Sequence, residues 1–214
     1  MLTSEQIKSL DIICCNWPEQ KPTITPSRLK WFSTNHEIVF NKLLHRRTDG
    51  VYLELGSWTG AGSTEHVTKT FKNMSLICVD TFEGSPENHK DSKQKVIANN
   101  LWQHFCCNRW DERDRIWPMK GKTIECMTAL AQHKVFPDFV YIDAAHDVES
   151  VFADLQTALN LFPNAIILGD DYTAPNQDHC QVYLAIDRAI KQGLIKSTEF
   201  KNVGRAWYLT RNLS

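Results

Sequence analysis

Six side chains in this sequence have the types and placement to do chemistry together: Glu54, Asp80, Asp143, His146, Asp170 and Asp171. Each acid interrupts or closes a short apolar run. Glu54 lies within Val-Tyr-Leu-Glu-Leu at 51–55, Asp80 follows Ser-Leu-Ile-Cys-Val, Asp143 follows Phe-Val-Tyr-Ile, and Asp170-Asp171 follow Ala-Ile-Ile-Leu-Gly. Open α/β sheets collect their ligands beyond the carboxyl ends of their strands. If the first and fourth strands are neighbours, Asp143, Asp170 and Asp171 meet at one edge. Three carboxylates there repel one another unless a cation neutralises them, and all-oxygen ligation suits Mg²⁺ better than zinc. Taken singly, an aspartate that ends a strand is more simply a helix N-cap or a loop opener.

The stretch around which these acids gather is residues 51–64. The apolar run ends in Gly56-Ser57-Trp58-Thr59-Gly60-Ala61-Gly62, and Ser63-Thr64-Glu65 then opens a helical pattern. Glycines let the chain pass close beneath a ligand, and the new helix offers unpaired backbone N–H groups. A tight strand-to-helix turn would show the same glycines. The carboxylate of Glu54, two residues before the first glycine, would repel a pyrophosphate but suits a cationic ligand. Asp80, 24 positions after Gly56, stands where an acid can accept both hydroxyls of a ribose.

Glu54-Leu-Gly-Ser-Trp-x-Gly60, Asp80-Thr-Phe-Glu-Gly84 and Asp143-Ala-Ala-His146 together resemble the class I S-adenosylmethionine-dependent methyltransferases. The nearer likeness is to the metal-dependent macrocin and aminocoumarin sugar O-methyltransferases, and more distantly to catechol O-methyltransferase. The resemblance covers roughly residues 50–210. It implies that Glu54, Gly56, Ser57, Gly60, Gly62, Ser63, Asp80, Thr81 and Phe82 hold the cofactor, with Phe82 pressing on its adenine or ribose. It places Gly121, Lys122 and Thr123 at the adenine and gives Asp143 contacts to cofactor and metal alike. Thr123 reads more simply as the N-cap of the next helix. The resemblance matches Asp143, Asp170 and Asp171 to metal ligands one by one. It puts His146 where catechol O-methyltransferase carries its catalytic lysine, and an imidazole has a suitable intrinsic pKa near ~6.5 for a general base. Asp147 reads best as a cap for the following helix.

The elements that must position these groups follow from apolar periodicity. A first amphipathic helix spans 3–14, with Thr3-x-x-Gln6 as a capping box. A proline-bearing linker covers 16–26, and a long helix is predicted over 27–47. Strands at 51–55, 75–80, 116–119, 139–142 and 165–169 alternate with helices at 87–109, 123–131, 149–161 and 178–192. Pro118 argues for an edge or near-edge position of the third strand. Strands at 195–200 and 203–209, turning at Lys201-Asn202, form an antiparallel hairpin. The fold class expected is α/β: a Rossmann-like, doubly wound, mostly parallel seven-stranded sheet with a C-terminal antiparallel hairpin and extra N-terminal helices. Residues 1–48 form a helical segment serving as a cap or homodimer contact, and 49–214 the methyltransferase domain.

Composition narrows the classes. With 42% hydrophobic and 23% charged residues the chain is a folded globular one, and its 214 residues fit one core. Lys and Arg (24) balance Asp and Glu (25), so there is no electrostatic footprint for nucleic acid. Seven cysteines without a Cys-x-x-Cys argue against a disulfide framework or structural zinc. No signal peptide or membrane span is read, and the expected location is cytoplasmic. The function expected is Mg²⁺- and S-adenosylmethionine-dependent O-methylation of a small hydroxylated molecule or sugar. Three alternatives stand beside it. One is a non-catalytic binding protein on the same fold. Another is a metal-dependent hydroxylase resembling cephalosporin hydroxylase. The third, a short-chain dehydrogenase, lacks its Tyr-x-x-x-Lys here.

Overall fold

The computed structural model describes residues 2–85, 89–173 and 181–213. Its elements in chain order are α1 (Ser4–Ile13), α2 (Thr34–Leu44), β1 (Val51–Leu55), α3 (Ser63–Thr70), β2 (Ser75–Asp80), α4 (Ser92–Ala98), α5 (Leu101–Arg109), β3 (Ile116–Lys120), α6 (Thr123–Gln132), β4 (Phe139–Ile142), α7 (Val148–Leu161), β5 (Ile166–Gly169), α8 (Val182–Lys191), β6 (Phe200–Val203) and β7 (Ala206–Leu209). The seven strands form one sheet in the order β3-β2-β1-β4-β5-β7-β6. β1 pairs in parallel with both β2 and β4, while β7 runs antiparallel between β5 and β6. The strand order therefore reverses between β1 and β4, the place where such sheets hold ligands.

Alternation along the strands sorts side chains between two cores. Val51, Leu53 and Leu55 of β1 face the side covered by Leu10 of α1, Met127 of α6, Leu155 of α7 and Ile186 of α8. Tyr52 faces the other side with Phe40 of α2, Val67 of α3 and Phe105 of α5. The period of two puts Glu54 on the same face as Tyr52, beneath α3. β1 is buried at all five positions, as a central parallel strand should be. Among the described residues, no helix is long and apolar enough to cross a membrane.

The capping box of α1 forms as expected: the Gln6 amide donates to Thr3 Oγ1 at 3.2 Å and the Thr3 amide to Gln6 Oε1 at 2.9 Å. Element boundaries differ from the sequence reading in several places, the expected strand over 195–200 among them, since β6 is Phe200–Val203. Residues 27–33 are not helical; α2 starts at Thr34 after the N-cap Ser33. Ser27 there gives its amide to His104 Nδ1 at 3.0 Å, and its carbonyl accepts from Asn108 at 2.8 Å, so the backbone bonds outward and not to itself. Among the described residues the single helix expected over 87–109 is interrupted at Asp91, which caps α4, and again at Asn99-Asn100 between α4 and α5 (its expected start at Glu87 lies outside the described residues). Likewise α8 is described from Val182, and the expected start at Asp178 lies outside the described residues. The terminal hairpin turns at Gly204-Arg205, because Gly204 takes a φ of 59° that a two-residue turn needs; Lys201 and Asn202 belong to β6.

Thr123 is the first residue of α6, whose N-cap is Lys122. Its hydroxyl donates instead to Asp154 of α7, a buried acid pushed up to about 6 by burial, which its link to Thr123 only partly offsets. A carboxyl raised in the fold costs no stability when protonated in both states and costs progressively more as pH rises from about 4 through about 6. Asp154→Asn keeps an acceptor for Thr123 and removes the ionisation. It should raise stability at neutral pH by up to about 3 kcal/mol, since each unit is worth about 1.4 kcal/mol. Denaturant unfolding across pH 4 to 8 should show the gain fading toward the acid end.

A candidate functional site at the strand reversal

Glu54 is 0% exposed, and hydroxyl groups surround it. Ser63 and Thr64, the first residues of α3, both donate to it, and Tyr52 donates at 3.4 Å. Burial raises its pKa, which the hydroxyls of Ser63, Thr64 and Ser57 partly offset. The acid expected to face a cationic ligand is thus committed to tying the start of α3 onto β1. The loop 56–62 is strung between these fixed ends.

Gly56, with a φ of 93°, opens that loop. A Cβ there would lie 2.1 Å from the backbone oxygen of Asp143, so the ends of β1 and β4 touch through bare backbone. Asp80 at the end of β2 accepts the amides of Trp58 at 2.8 Å and Phe82 at 2.7 Å. Both donors are left-handed, at φ 49° and 53°, and these bonds offset part of that strain. Burial raises the Asp80 pKa against those amides. The carboxylate therefore stands at the loop, where a ribose was expected. Phe82, 6% exposed, turns its ring into a cluster with Trp102 at 4.9 Å and Phe105 at 5.3 Å. The backbone N–H of Gly121, between β3 and α6, is bonded to the Asp80 carbonyl at 3.1 Å.

Beneath the loop, Arg109 of α5 is 2% exposed and reaches Thr68 at 2.9 Å and Glu65 at 3.3 Å. Glu65 also takes Arg28 and Lys69. Burial raises the Glu65 pKa, but Lys69, Arg109 and Arg28 outweigh it and hold the carboxyl below its usual range. The same contact pins residues 27–33 across the glycine loop, where Thr59 donates to the Leu29 carbonyl at 3.4 Å.

The second half of the site lies at the ends of β4 and β5. Ligand atoms of Asp143, His146 and Asp171 all lie within 4.8 Å of one another, a group able to hold a metal ion. Asp143 has its pKa raised well above the usual value by burial, then by Asp170 and Glu54. Asp171 has a φ of 61°, so consecutive aspartates face different partners. Asp171 meets His146 Nε2 at 3.1 Å and the Arg205 guanidinium from the hairpin turn. Asp170 Oδ1 accepts the Asp171 amide at 2.6 Å and lies 2.6 Å from His36 Nε2 of α2, off the line of the ring N–H. Asp147 caps α7 by accepting the Ser150 amide at 3.0 Å.

The structure therefore brings Asp143, His146 and Asp171 together, while Asp170 points to a residue the sequence reading left out. His36 carried one signal, its position three residues after Ser33 at a helix start. Arg205 carried only the glycine before it. Placing either at the acids takes the fold.

The profile of a protein family described as "Methyltransferase domain" matches residues 53–172. No curated protein matches the chain by sequence. Among solved structures, a Staphylococcus aureus protein provisionally described as a caffeoyl-CoA O-methyltransferase is 12% identical, with 85% of each chain covered and a TM-score of 0.56. A Bacillus cereus O-methyltransferase in complex with SAH is 16% identical over 98% of this chain and 90% of its own, at a TM-score of 0.53. Aeropyrum pernix fibrillarin, with natively bound S-adenosyl-L-methionine, is 14% identical over 75% of this chain and 65% of its own, at a TM-score of 0.50. At these identities the likeness is one of fold.

Gly56→Ala tests the close approach directly. Its added methyl meets backbone that cannot swing aside, in a conformation alanine avoids, and should cost roughly 3 kcal/mol or more in denaturant unfolding.

Proposed function

Because the chain belongs to this methyltransferase-domain family, we propose that it is an S-adenosylmethionine-dependent O-methyltransferase, assisted by a divalent cation and acting on a small hydroxylated molecule or sugar. The observation that carries this reading is the convergence of Asp143, His146 and Asp171 at the strand reversal beside the glycine loop. The fit to the cofactor rests on the bare backbone at Gly56 and on the Asp80 carboxylate at the loop. S-adenosylmethionine, when bound, supplies an electrophilic methyl group on a sulfonium. The fit to a dication rests on the donor set: the carboxylates of Asp143 and Asp171 close together, with Asp170 near enough to raise the Asp143 pKa. Such an ion, when bound, supplies the Lewis acidity that makes a hydroxyl acidic.

The residues of the chain divide the remaining work. Asp171 Oδ2 holds His146 Nε2 at 3.1 Å, which fixes the proton on that nitrogen and the lone pair on Nδ1. His146 would take the acceptor's hydroxyl proton as general base, and the bound cofactor would supply the methyl group. Arg205 neutralises part of the acidic cluster and must share Asp171 with the cation or yield it.

Calorimetry with S-adenosylmethionine, with and without Mg²⁺, and transfer of a labelled methyl group to a panel of hydroxylated acceptors test the proposal. Asp143→Ala should abolish metal-dependent transfer while cofactor affinity stays within about threefold. His146→Ala should lower kcat by about 10²-fold or more with little change in KM, the usual scale for a lost general base. Normal activity in both variants overturns the mechanism; tight cofactor binding without turnover on any acceptor favours the non-catalytic reading.

A further inference from the structure

We infer that the Arg205 guanidinium competes with the dication for the proposed metal site and swings into solvent when the ion binds. The inference rests on the metal-assisted reading above and extends it to the terminal hairpin, beyond the matched family region, which ends at residue 172.

Two cations cannot both keep their place among these acids. Arg205 pairs with Asp171 Oδ1. Burial is the largest influence on the Asp143 pKa and raises it; Arg205 pulls the other way, so its charge bears on both carboxylates of the proposed ion site. Asp171 Oδ2 faces His146 Nε2 at 3.1 Å, so both oxygens of that carboxylate are engaged. A dication drawn to Asp143 and Asp171 therefore meets a guanidinium already there, and like charges this close repel. Exposure decides which group moves. The Arg205 side chain is 47% exposed and can turn out into water, while Asp171, 7% exposed, stays behind. Among the described residues no hydrogen bond is aligned on Asp171 Oδ1, so charge alone holds the guanidinium there and a stronger charge can replace it. The backbone keeps its place during the exchange, since the Arg205 carbonyl accepts the Tyr172 amide at 3.0 Å and Ala206 pairs with Val203.

A simpler role exists, a strut that ties the hairpin to the end of β5. The sign of the effect separates the two. A strut orients Asp171, so its removal weakens ion binding. Removing a competitor tightens it, by the same factor that the ion pair contributes to the metal-free protein. Arg205→Gln removes the charge, and Arg205→Lys keeps it. Mn²⁺ binding to the whole 214-residue chain, measured by electron paramagnetic resonance with S-adenosylmethionine present, reads the site without turnover. Melting midpoints in chelator and in saturating Mn²⁺ report what the ion pair contributes to the fold. Arg205→Gln should tighten Mn²⁺ binding by about tenfold, melt below wild type in chelator and match it in saturating Mn²⁺. Arg205→Lys should bind Mn²⁺ within about threefold of wild type. Unchanged or weakened Mn²⁺ affinity in Arg205→Gln overturns the inference and leaves the metal-assisted reading standing. So does equal tightening in Arg205→Lys. No Mn²⁺ binding in either wild type or Arg205→Gln overturns the metal-assisted reading itself, and the inference with it.

Discussion

A carboxylate sealed from water organises the front of the molecule. Burying Glu54 is costly unless donors replace its hydration, and they come from the first two residues of α3 and from Tyr52. The bond set fixes the helix start relative to β1, and the positive end of the helix favours an acid there. The span of the glycine loop, the approach of Gly56 to Asp143 and the direction of the free amides all inherit that joint. Removing the acid would leave hydroxyls unpaired in the core, so the joint is stabilising only as a complete set.

Around it the fold accumulates like charge. Glu54, Asp80 and Asp143 all have raised pKa values, burial being the largest cause in each. Acids gathered this way weaken the fold as they ionise, since each must give up its hydration. Basic groups reach the cluster from opposite sides: His36 from the N-terminal helix and Arg205 from the terminal hairpin. The two ends of the chain thus converge on one pair of adjacent aspartates.

Much of this was legible beforehand because it follows from local pattern. Apolar runs of four to six residues located the five parallel strands, and Pro118 pointed to an edge or near-edge place for β3, which lies at the edge, where a missing donor is harmless. The acids at strand ends followed from those boundaries. What was not legible depended on partners distant in sequence. Residues 27–33 have helical periodicity, yet Ser27 gives its backbone N–H to His104 and its carbonyl to Asn108, and the segment is not helical. Thr123 resembles a cap, but a buried acid on the neighbouring helix takes its hydroxyl. Phe82 looks like a ligand contact by its place after Asp80, and its ring packs inward on Trp102. The pairing of His36 with Asp170 spans residues that share no motif.

The reversal of the last strands has a geometric result. β7 descends against β5, pairing Trp207 with Gly169, so the Gly204-Arg205 turn opens on the edge where β5 ends. At the parallel strands that edge is reached by connections that run on into helices, which are long and carry their own packing. A two-residue bend is different: it is short, stiff and backed by Asn35, which sits close to Gly204. It works as a bracket of set length, delivering a guanidinium to one spot. A change of one residue in that bracket would relocate the charge while leaving every strand in place.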